Sequence, residues 1–395
     1  AAGAVTAPPG SAAASRRARR LSSVSTEVVA APVIGDRIAA FVRDFVRPNA
    51  AAMARGKGPR PNDVVGAAGE AGLAGILTPA RFGGGGGSHR DFVDFIEAVA
   101  AADASAAVII DVHASVGTEP IIDFGSDEQK MRYLPRLASG EWLAAFALTE
   151  PGGGSDAAAL QTRALPDGDG YLITGTKTFI TSAGAADMYI VIARTGQGTR
   201  GITAFLVESA WSGVTAGVPF EKLGLHGSWT GELVLDNVRV PSANRLGAEG
   251  AGFRVAMSAL DSGRVGISAQ AVGIAQGALD AAVTESRARL AAGAEVDEVT
   301  LADMEAATMA ARALTRHTAA MVDAGEHATL DASVSKLFAT DACVAVAHAA
   351  VQLCAPASAS EMHPATVRLR DAKASQIYEG TNQIQRLIIA RELLR

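Results

Sequence analysis

The chain has 395 residues, 35 Lys and Arg against 41 Asp and Glu, a net charge of −6, and 49% hydrophobic but only 5% aromatic residues. That length exceeds one ordinary core and predicts two or three packed units built on Ala, Val, Leu and Ile. The acidic balance argues against a nucleic-acid partner, and no run reaches the roughly 18 uncharged apolar residues of a membrane span, so a soluble, cytoplasmic protein is expected.

Residues 1–25 contain no acid and carry the basic run Ser15-Arg16-Arg17-Ala18-Arg19-Arg20, which reads as a disordered basic tail or a targeting segment for an organelle matrix. Residues 26–141 read as a helical domain. Ile34, Ile38, Val42 and Phe45 share one face, with Pro48 expected to stop the run, and Phe92, Phe95, Ile96 and Val99 repeat the spacing. Ser126 with Gln129 fits a capping box. The run Gly83–Gly87 has no strand before it, as a phosphate-cradling loop would need, and is expected to be a flexible connector.

The texture changes over residues 142–248. Strand patterns appear at Tyr171–Thr174, Met188–Ile192, Ile202–Val207 and Leu233–Leu235 without intervening helices, which favours an antiparallel sheet and argues against a dinucleotide-binding βαβ unit. Residues 249–395 are helical again, with helices expected over Val265–Leu290, Leu301–Val322, Leu330–Leu353 and from Asn382 onward. Cys343 and Cys354 match neither a disulfide framework nor a zinc spacing. The seven histidines are scattered, so no metal is expected. Ser333-Val334-Ser335-Lys336 fits S-x-x-K but lies in mid-helix without partner motifs, as chance would place it. The fold class is mainly α with a middle antiparallel β domain.

Three stretches carry candidate chemistry. Ala147-Leu148-Thr149-Glu150-Pro151-Gly152-Gly153-Gly154-Ser155-Asp156 is a strand entering a Gly-rich turn, which exposes backbone N–H groups and two hydroxyls to an anionic or heteroaromatic ligand. In Gly175-Thr176-Lys177-Thr178-Phe179-Ile180-Thr181-Ser182, alternation puts a ring and a hydroxyl on one face. Tyr378-Glu379-Gly380-Thr381 sets one carboxylate between a ring and a glycine ahead of the last helix.

With these motifs in their order, joined by Glu232–Pro241, Leu260–Ala282 and Arg370–Arg386, the chain resembles the acyl-CoA dehydrogenase family from about residue 26 onward. The resemblance implies an N-terminal helical domain, a middle β domain and a C-terminal four-helix bundle. It further implies FAD as cofactor and oxidation of a saturated acyl thioester to its trans-2-enoyl form. Glu379 would be the catalytic base, and hydride would pass from the β-carbon to flavin N5. Phe146, Leu148, Thr149 and Ser155 would line the flavin and its phosphates, Phe179, Ile180 and Thr181 its ring, and Thr381 and Gln383 its ADP half. Ser155, Asp261, Arg264 and Gly380 would meet the thioester or its carrier. In some relatives the base lies on an internal helix, at the place of Gly263 here, so no rival carboxylate stands there.

Two places depart from the family pattern. Arg289 is kept, but Leu290-Ala291-Ala292-Gly293 lacks the expected ring, and Gln352 is followed by Leu353-Cys354-Ala355-Pro356-Ala357-Ser358 instead of glycines. In the family both places reach a neighbouring subunit's FAD. Apolar faces on the C-terminal helices, such as Val344, Val346, Ala347, Ala350 and Val351, predict a homodimer or homotetramer, and the departures predict that its FAD is held mainly by its own chain. The implied partners are an acyl-CoA or a carrier-protein thioester and an electron-transferring flavoprotein or other acceptor. Alternative readings are a dehydrogenase of carrier-tethered acyl groups, a flavin monooxygenase or oxidase on the same fold, and a scaffold without cofactor.

Overall fold

The computed structural model of the protein describes Gly3 and residues 33–395; the expected basic tail otherwise lies outside the described residues. Residues 34–395 form one body. It begins with helices Ile34–Phe41 and Arg47–Met53, joined through the π-type turn Val42–Val46. Pro48 therefore does not stop the run. The widened turn takes up the clash a proline ring makes with the carbonyl four residues earlier, and Pro48 falls in the first turn of the second segment.

The run Gly83–Gly87 is a connector but a close-packed one. Gly85, Gly86 and Gly87 donate to the carbonyls of Gly75, Thr78 and Ile76 at 2.8, 2.9 and 2.8 Å. A Cβ on Gly84 would strike the Thr78 carbonyl, so the glycines serve close approach and not the expected flexibility. Ser88 then opens helix His89–Ala102 through a capping box with Asp91. The helical run Ala104–Val112, continued by a π-type segment His113–Thr118, is buried on every side. Helix Asp127–Ala138 carries the expected Ser126–Gln129 box.

Eight strands form the sheet: β1 Ala144–Ala147, β2 Arg163–Asp167, β3 Gly170–Thr181, β4 Met188–Arg194, β5 Ile202–Glu208, β6 Val214–Ala216, β7 Thr230–Pro241 and β8 Arg245–Leu246. Their order is β6-β7-β3-β2-β4-β5-β8, with β1 beside β4. The pairings are antiparallel as expected, except that β1 runs parallel to β4 and β2 meets β4 at one parallel pair. β1 and β4 are buried almost throughout, the environment in which parallel pairing is found.

The C-terminal helices are Gly252–Ala291, Glu298–Asp323, Thr329–Leu353, Pro364–Ser375 and Asn382–Leu393. The first starts well before the expected Val265, and Pro364–Ser375 was not expected as a helix of its own. Helix Thr329–Leu353 is long and apolar enough to cross a membrane by composition, yet it packs against Gly252–Ala291 and Glu298–Asp323 in this bundle. Gly273 and Gly277 allow the long helix to cross His89–Ala102 closely. A Cβ on Gly273 would lie 2.6 Å from the Ala100 methyl and strike the Glu97 carbonyl, and one on Gly277 would lie 2.6 Å from the Ala101 carbonyl.

Gly273→Val adds an isopropyl group where backbone stands opposite. Overpacking of this kind costs about 1–3 kcal/mol, more than the slight gain in helix propensity. The expected outcome is a lower urea midpoint with the slope unchanged; an unchanged midpoint would contradict so close a crossing.

Candidate active site

Glu379 and Gly380 form the turn between helices Pro364–Ser375 and Asn382–Leu393, and both have left-handed backbones, φ 52° and 91°. Glycine adopts this conformation freely, whereas glutamate does so at a cost of about 1 kcal/mol or more and must be held there. Lys336, fully buried, donates to the Gly380 carbonyl at 2.9 Å and to Asn382 Oδ1 at 3.0 Å. Gln385 Nε2 donates to the Glu379 and Gly380 carbonyls at 3.2 and 3.0 Å. The Asn382 N–H donates to the Gln376 carbonyl, and its side chain donates to Asp341 Oδ1 at 2.7 Å. Thr381 caps the last helix by accepting from the Ile384 N–H at 3.3 Å. The turn is thus fixed from both sides.

Solvent reaches part of the Glu379 residue, but its two carboxylate oxygens are enclosed and have no hydrogen-bond partner. The carboxylate lies on the bare backbone of Gly263 in helix Gly252–Ala291. A Cβ there would strike Oε2 and come within 2.7 Å of Cδ. Around it, Val108, Val112, Val116, Ala259 and Ile267 pack with Phe146 and Tyr378 in a small apolar cluster. Burial pushes the Glu379 carboxyl up to about 7, against the downward pull of Lys336 and Arg264. Burial likewise draws Lys336 down to about 7, while Glu379 pulls it up.

Asp261 and Arg264 pair on this helix, but not as a surface pair. Arg264 is buried, its Nε has no partner, and Thr329 Oγ1 donates to the other Asp261 oxygen at 2.7 Å. Gly380 carries the left-handed turn, and its carbonyl is taken by Lys336 and Gln385.

A second group of residues meets at β3. A register shift between Lys177 and Ile180, with φ 57° at Phe179, turns the Phe179 ring out so that the residue is 68% exposed. A bulge, and not the regular alternation expected, sets exposed Phe179 and half-buried Thr181 on either side of buried Ile180. The preceding loop is bonded to this strand: the Thr178 N–H donates to the Thr149 carbonyl at 2.9 Å. Lys177, also fully buried, donates to the Leu148 carbonyl at 3.0 Å and to Glu150 Oε1 at 2.8 Å. Burial draws Lys177 down to about 8 against the pull of Glu150. The Glu150 carboxylate also accepts from the Gln161 and Thr162 N–H groups. Phe146 is half-buried, Leu148 buried and Ser155 exposed.

The exposed Phe179 ring packs against Phe220, with ring centroids 5.4 Å apart, and the strand that carries it leads through Thr181 to Ser182, whose buried hydroxyl has no partner; an exposed ring of this kind suits a planar heteroaromatic ligand. Elsewhere, Arg289 donates to Glu285 Oε1 at 3.0 Å and to its own chain's Ala355 carbonyl, and Gln352 and Gln383 are exposed. The described residues hold no cluster of His, Cys, Asp and Glu that could bind a metal.

Family models of the acyl-CoA dehydrogenase N-terminal, middle and C-terminal domains match residues 33–141, 145–238 and 250–394. An acyl-CoA dehydrogenase of Bacillus subtilis is 46% identical over 364 residues, 90% of this chain and 96% of that protein. The butyryl-CoA dehydrogenase structure from Megasphaera elsdenii is 36% identical with TM-score 0.87, covering 92% of this chain and 99% of that one. A glutaryl-CoA dehydrogenase from Mycobacterium smegmatis in complex with FADH2 is 29% identical with TM-score 0.83, covering 91% and 93%.

Sequence reasoning passed over Lys336, Asn382, Gln385, Glu150, Lys177 and Asp111. Lys336 lay within the S-x-x-K match set aside as chance; the signal was the single lysine of the helix Thr329–Leu353. The enclosed Glu379 carboxyl also has a consequence for stability. It ionises near 4.5 when unfolded but near 7 when folded, so the folded state holds the proton longer. Stability is then lost as pH rises from about 4.5 to 7, by up to about 3 kcal/mol. Glu379→Gln removes this cost, so the variant should gain stability over wild type more at pH 8 than at pH 5 in urea unfolding. An equal difference at both pH values would show that the carboxyl is solvated.

Proposed function

Since this chain belongs to the acyl-CoA dehydrogenase family, we propose that Glu379 is its catalytic base, removing the α-proton of a saturated acyl-CoA on the way to the trans-2-enoyl thioester. As a member of that family it is an FAD-dependent oxidoreductase acting on CH–CH bonds. The observation that carries the assignment is the Glu379 carboxylate, enclosed, without a hydrogen-bond partner and fixed by its turn. A thioester α-proton is weakly acidic, and a base poised near the working pH removes it most effectively. With its carboxyl pushed to about 7, Glu379 works from its ionised form, so turnover should fall as pH drops below about 7.

Bound FAD supplies the acceptor for the hydride that leaves the β-carbon. Phe179, Ile180 and Thr181 would meet its ring system, with Phe146, Leu148, Thr149 and Ser155 beside it. Thr381 and Gln383 would meet the ADP half, where the Gln383 N–H, left without a partner in the first turn of helix Asn382–Leu393, would be open to a pyrophosphate. The Glu379 backbone N–H would donate to the thioester carbonyl as charge develops on that oxygen. Buried Arg264, paired with Asp261 at the same helix turn, adds positive potential. Lys336 and Gln385 hold the turn and thereby the direction of the base.

An electron-transferring flavoprotein is the proposed electron acceptor, and the cytoplasm the proposed location. Self-association as a dimer or tetramer would use the C-terminal helices, where Leu290, Phe338, Leu393 and Leu394 are exposed. With Arg289 turned to its own chain, FAD would be held mainly by residues of one subunit.

Anaerobic mixing with butyryl-CoA tests the assignment. The wild-type flavin should bleach, and Glu379→Gln should slow bleaching by about 10²–10⁴-fold while keeping FAD bound. Near wild-type bleaching by the variant would remove Glu379 from the mechanism. If no acyl-CoA bleaches the wild-type enzyme, the proposed reaction itself is wrong.

A further inference from the structure

Asp111 lies in the fully buried helix Ala104–Val112 and is 0% exposed. Ser115 Oγ donates to its Oδ1 at 3.2 Å, while Oδ2 is enclosed with no partner. Its carboxylate rests on Gly266, where a Cβ would strike Oδ1 and lie 3.2 Å from Oδ2. Gly266 is three residues beyond Gly263, the glycine under Glu379. The two carboxylates therefore cover successive positions on one face of helix Gly252–Ala291, roughly 5–6 Å apart at the backbone. The neighbours on Asp111's own helix, Val108 and Val112, belong with Val116, Ile267, Phe146 and Tyr378 to the apolar cluster around Glu379.

A buried carboxyl oxygen without a partner is costly in an apolar setting, and the bond from Ser115 to Oδ1 leaves Asp111 Oδ2 unpaired. Glu379 and Glu119 repel its charge, and burial pushes its carboxyl well above the usual range. The cations of this region are engaged elsewhere: Arg264 pairs with Asp261, and Lys336 is spent on Gly380 and Asn382. The Tyr378 hydroxyl donates to Gln270. A plain hydrocarbon chain passing this point would leave Asp111 Oδ2 unsatisfied, whereas a hydroxyl or amine on the chain, able to donate to the carboxylate or to accept the proton of the neutral acid, would supply the missing bond.

We propose that Asp111 is a specificity-determining residue, and that the acyl group oxidised here carries a hydrogen-bond donor, a hydroxyl or an amine, about two or three carbons beyond the α-carbon. The proposal rests on the reading of Glu379 as the base, since that places the α-carbon beside Gly263. The span from Gly263 to Gly266 equals about four chain bonds of standard length, which brings a donor at C4 or C5 within reach of Oδ2. Site groups built to bond a substrate N–H or O–H disfavour analogues that lack it, because the buried acceptor then goes unpaired.

The test is anaerobic flavin reduction by the FAD-loaded enzyme, read as kcat/KM. The probes are 4-hydroxybutyryl-, 5-hydroxypentanoyl- and 5-aminopentanoyl-CoA, set against pentanoyl- and hexanoyl-CoA of matched length. Wild type should favour at least one donor-bearing chain by about tenfold or more, and the hydroxyl and amine arms separate the two donor types. Asp111→Val should reverse the order, gaining on hexanoyl-CoA and losing on the favoured chain with FAD content unchanged. Asp111→Asn, which keeps size and an acceptor, should retain part of the preference for the hydroxyl. Wild type favouring the unsubstituted chains, or Asp111→Val lowering both classes alike, would overturn the proposal while leaving Glu379 as base. No reduction by any thioester would instead overturn the reading of the reaction.

Discussion

The carboxylate of Glu379 lies against a helix that has no side chain at the point of contact, and the rest of the candidate site depends on that contact. Gly263 leaves room for the carboxylate at the helix backbone, and the surrounding valines keep the space dry. The arrangement is unfavourable taken alone, because it buries a potential charge without a partner on a residue in a left-handed backbone. It persists because the surroundings over-determine it. Lys336 comes from one helix, Asn382 and Gln385 from another, and all three bind the same turn. Buried cations beside the turn keep ionisation within reach of neutral pH, while burial keeps the carboxyl from behaving as a surface acid.

The sheet contributes its part by a different device. The buried Glu150–Lys177 pair, with backbone bonds from Gln161 and Thr162, fixes the Gly-rich loop to β3 next to the bulge that exposes Phe179. An ion pair taken out of water adds little net stability unless its remaining bonding groups are also satisfied. Here Lys177 has a second acceptor in the Leu148 carbonyl, and Glu150 has two N–H donors, so the pair sets geometry. Phe146, on β1, packs both with the valine cluster around Glu379 and with the apolar core of the sheet. It is one physical link between the ring shelf and the carboxylate, on a strand that the parallel pairing with β4 holds in place.

The sequence by itself determined the order of helix, sheet and helix, because hydrophobic periodicity and turn chemistry are local properties. It also singled out the Gly-rich loop, the Phe179 strand and the Tyr378–Thr381 turn as candidate chemistry, and the resemblance to the family gave Glu379 and the other residues their expected roles. Capping at Ser126 was legible from its spacing to Gln129. Tertiary structure decided what those residues experience. That Pro48 continues a helix depends on a widened turn before it, and that the five glycines pack tightly depends on the carbonyls of Gly75, Ile76 and Thr78. The outward turn of Phe179 depends on a bulge against β7. That Lys336, an apparent accident of spacing, holds the Glu379 turn, and that Asp111 lies one helical step from Glu379, follows from helices far apart in sequence packing side by side. Burial and charge proximity are sums over such neighbours, and no single segment of the chain contains them.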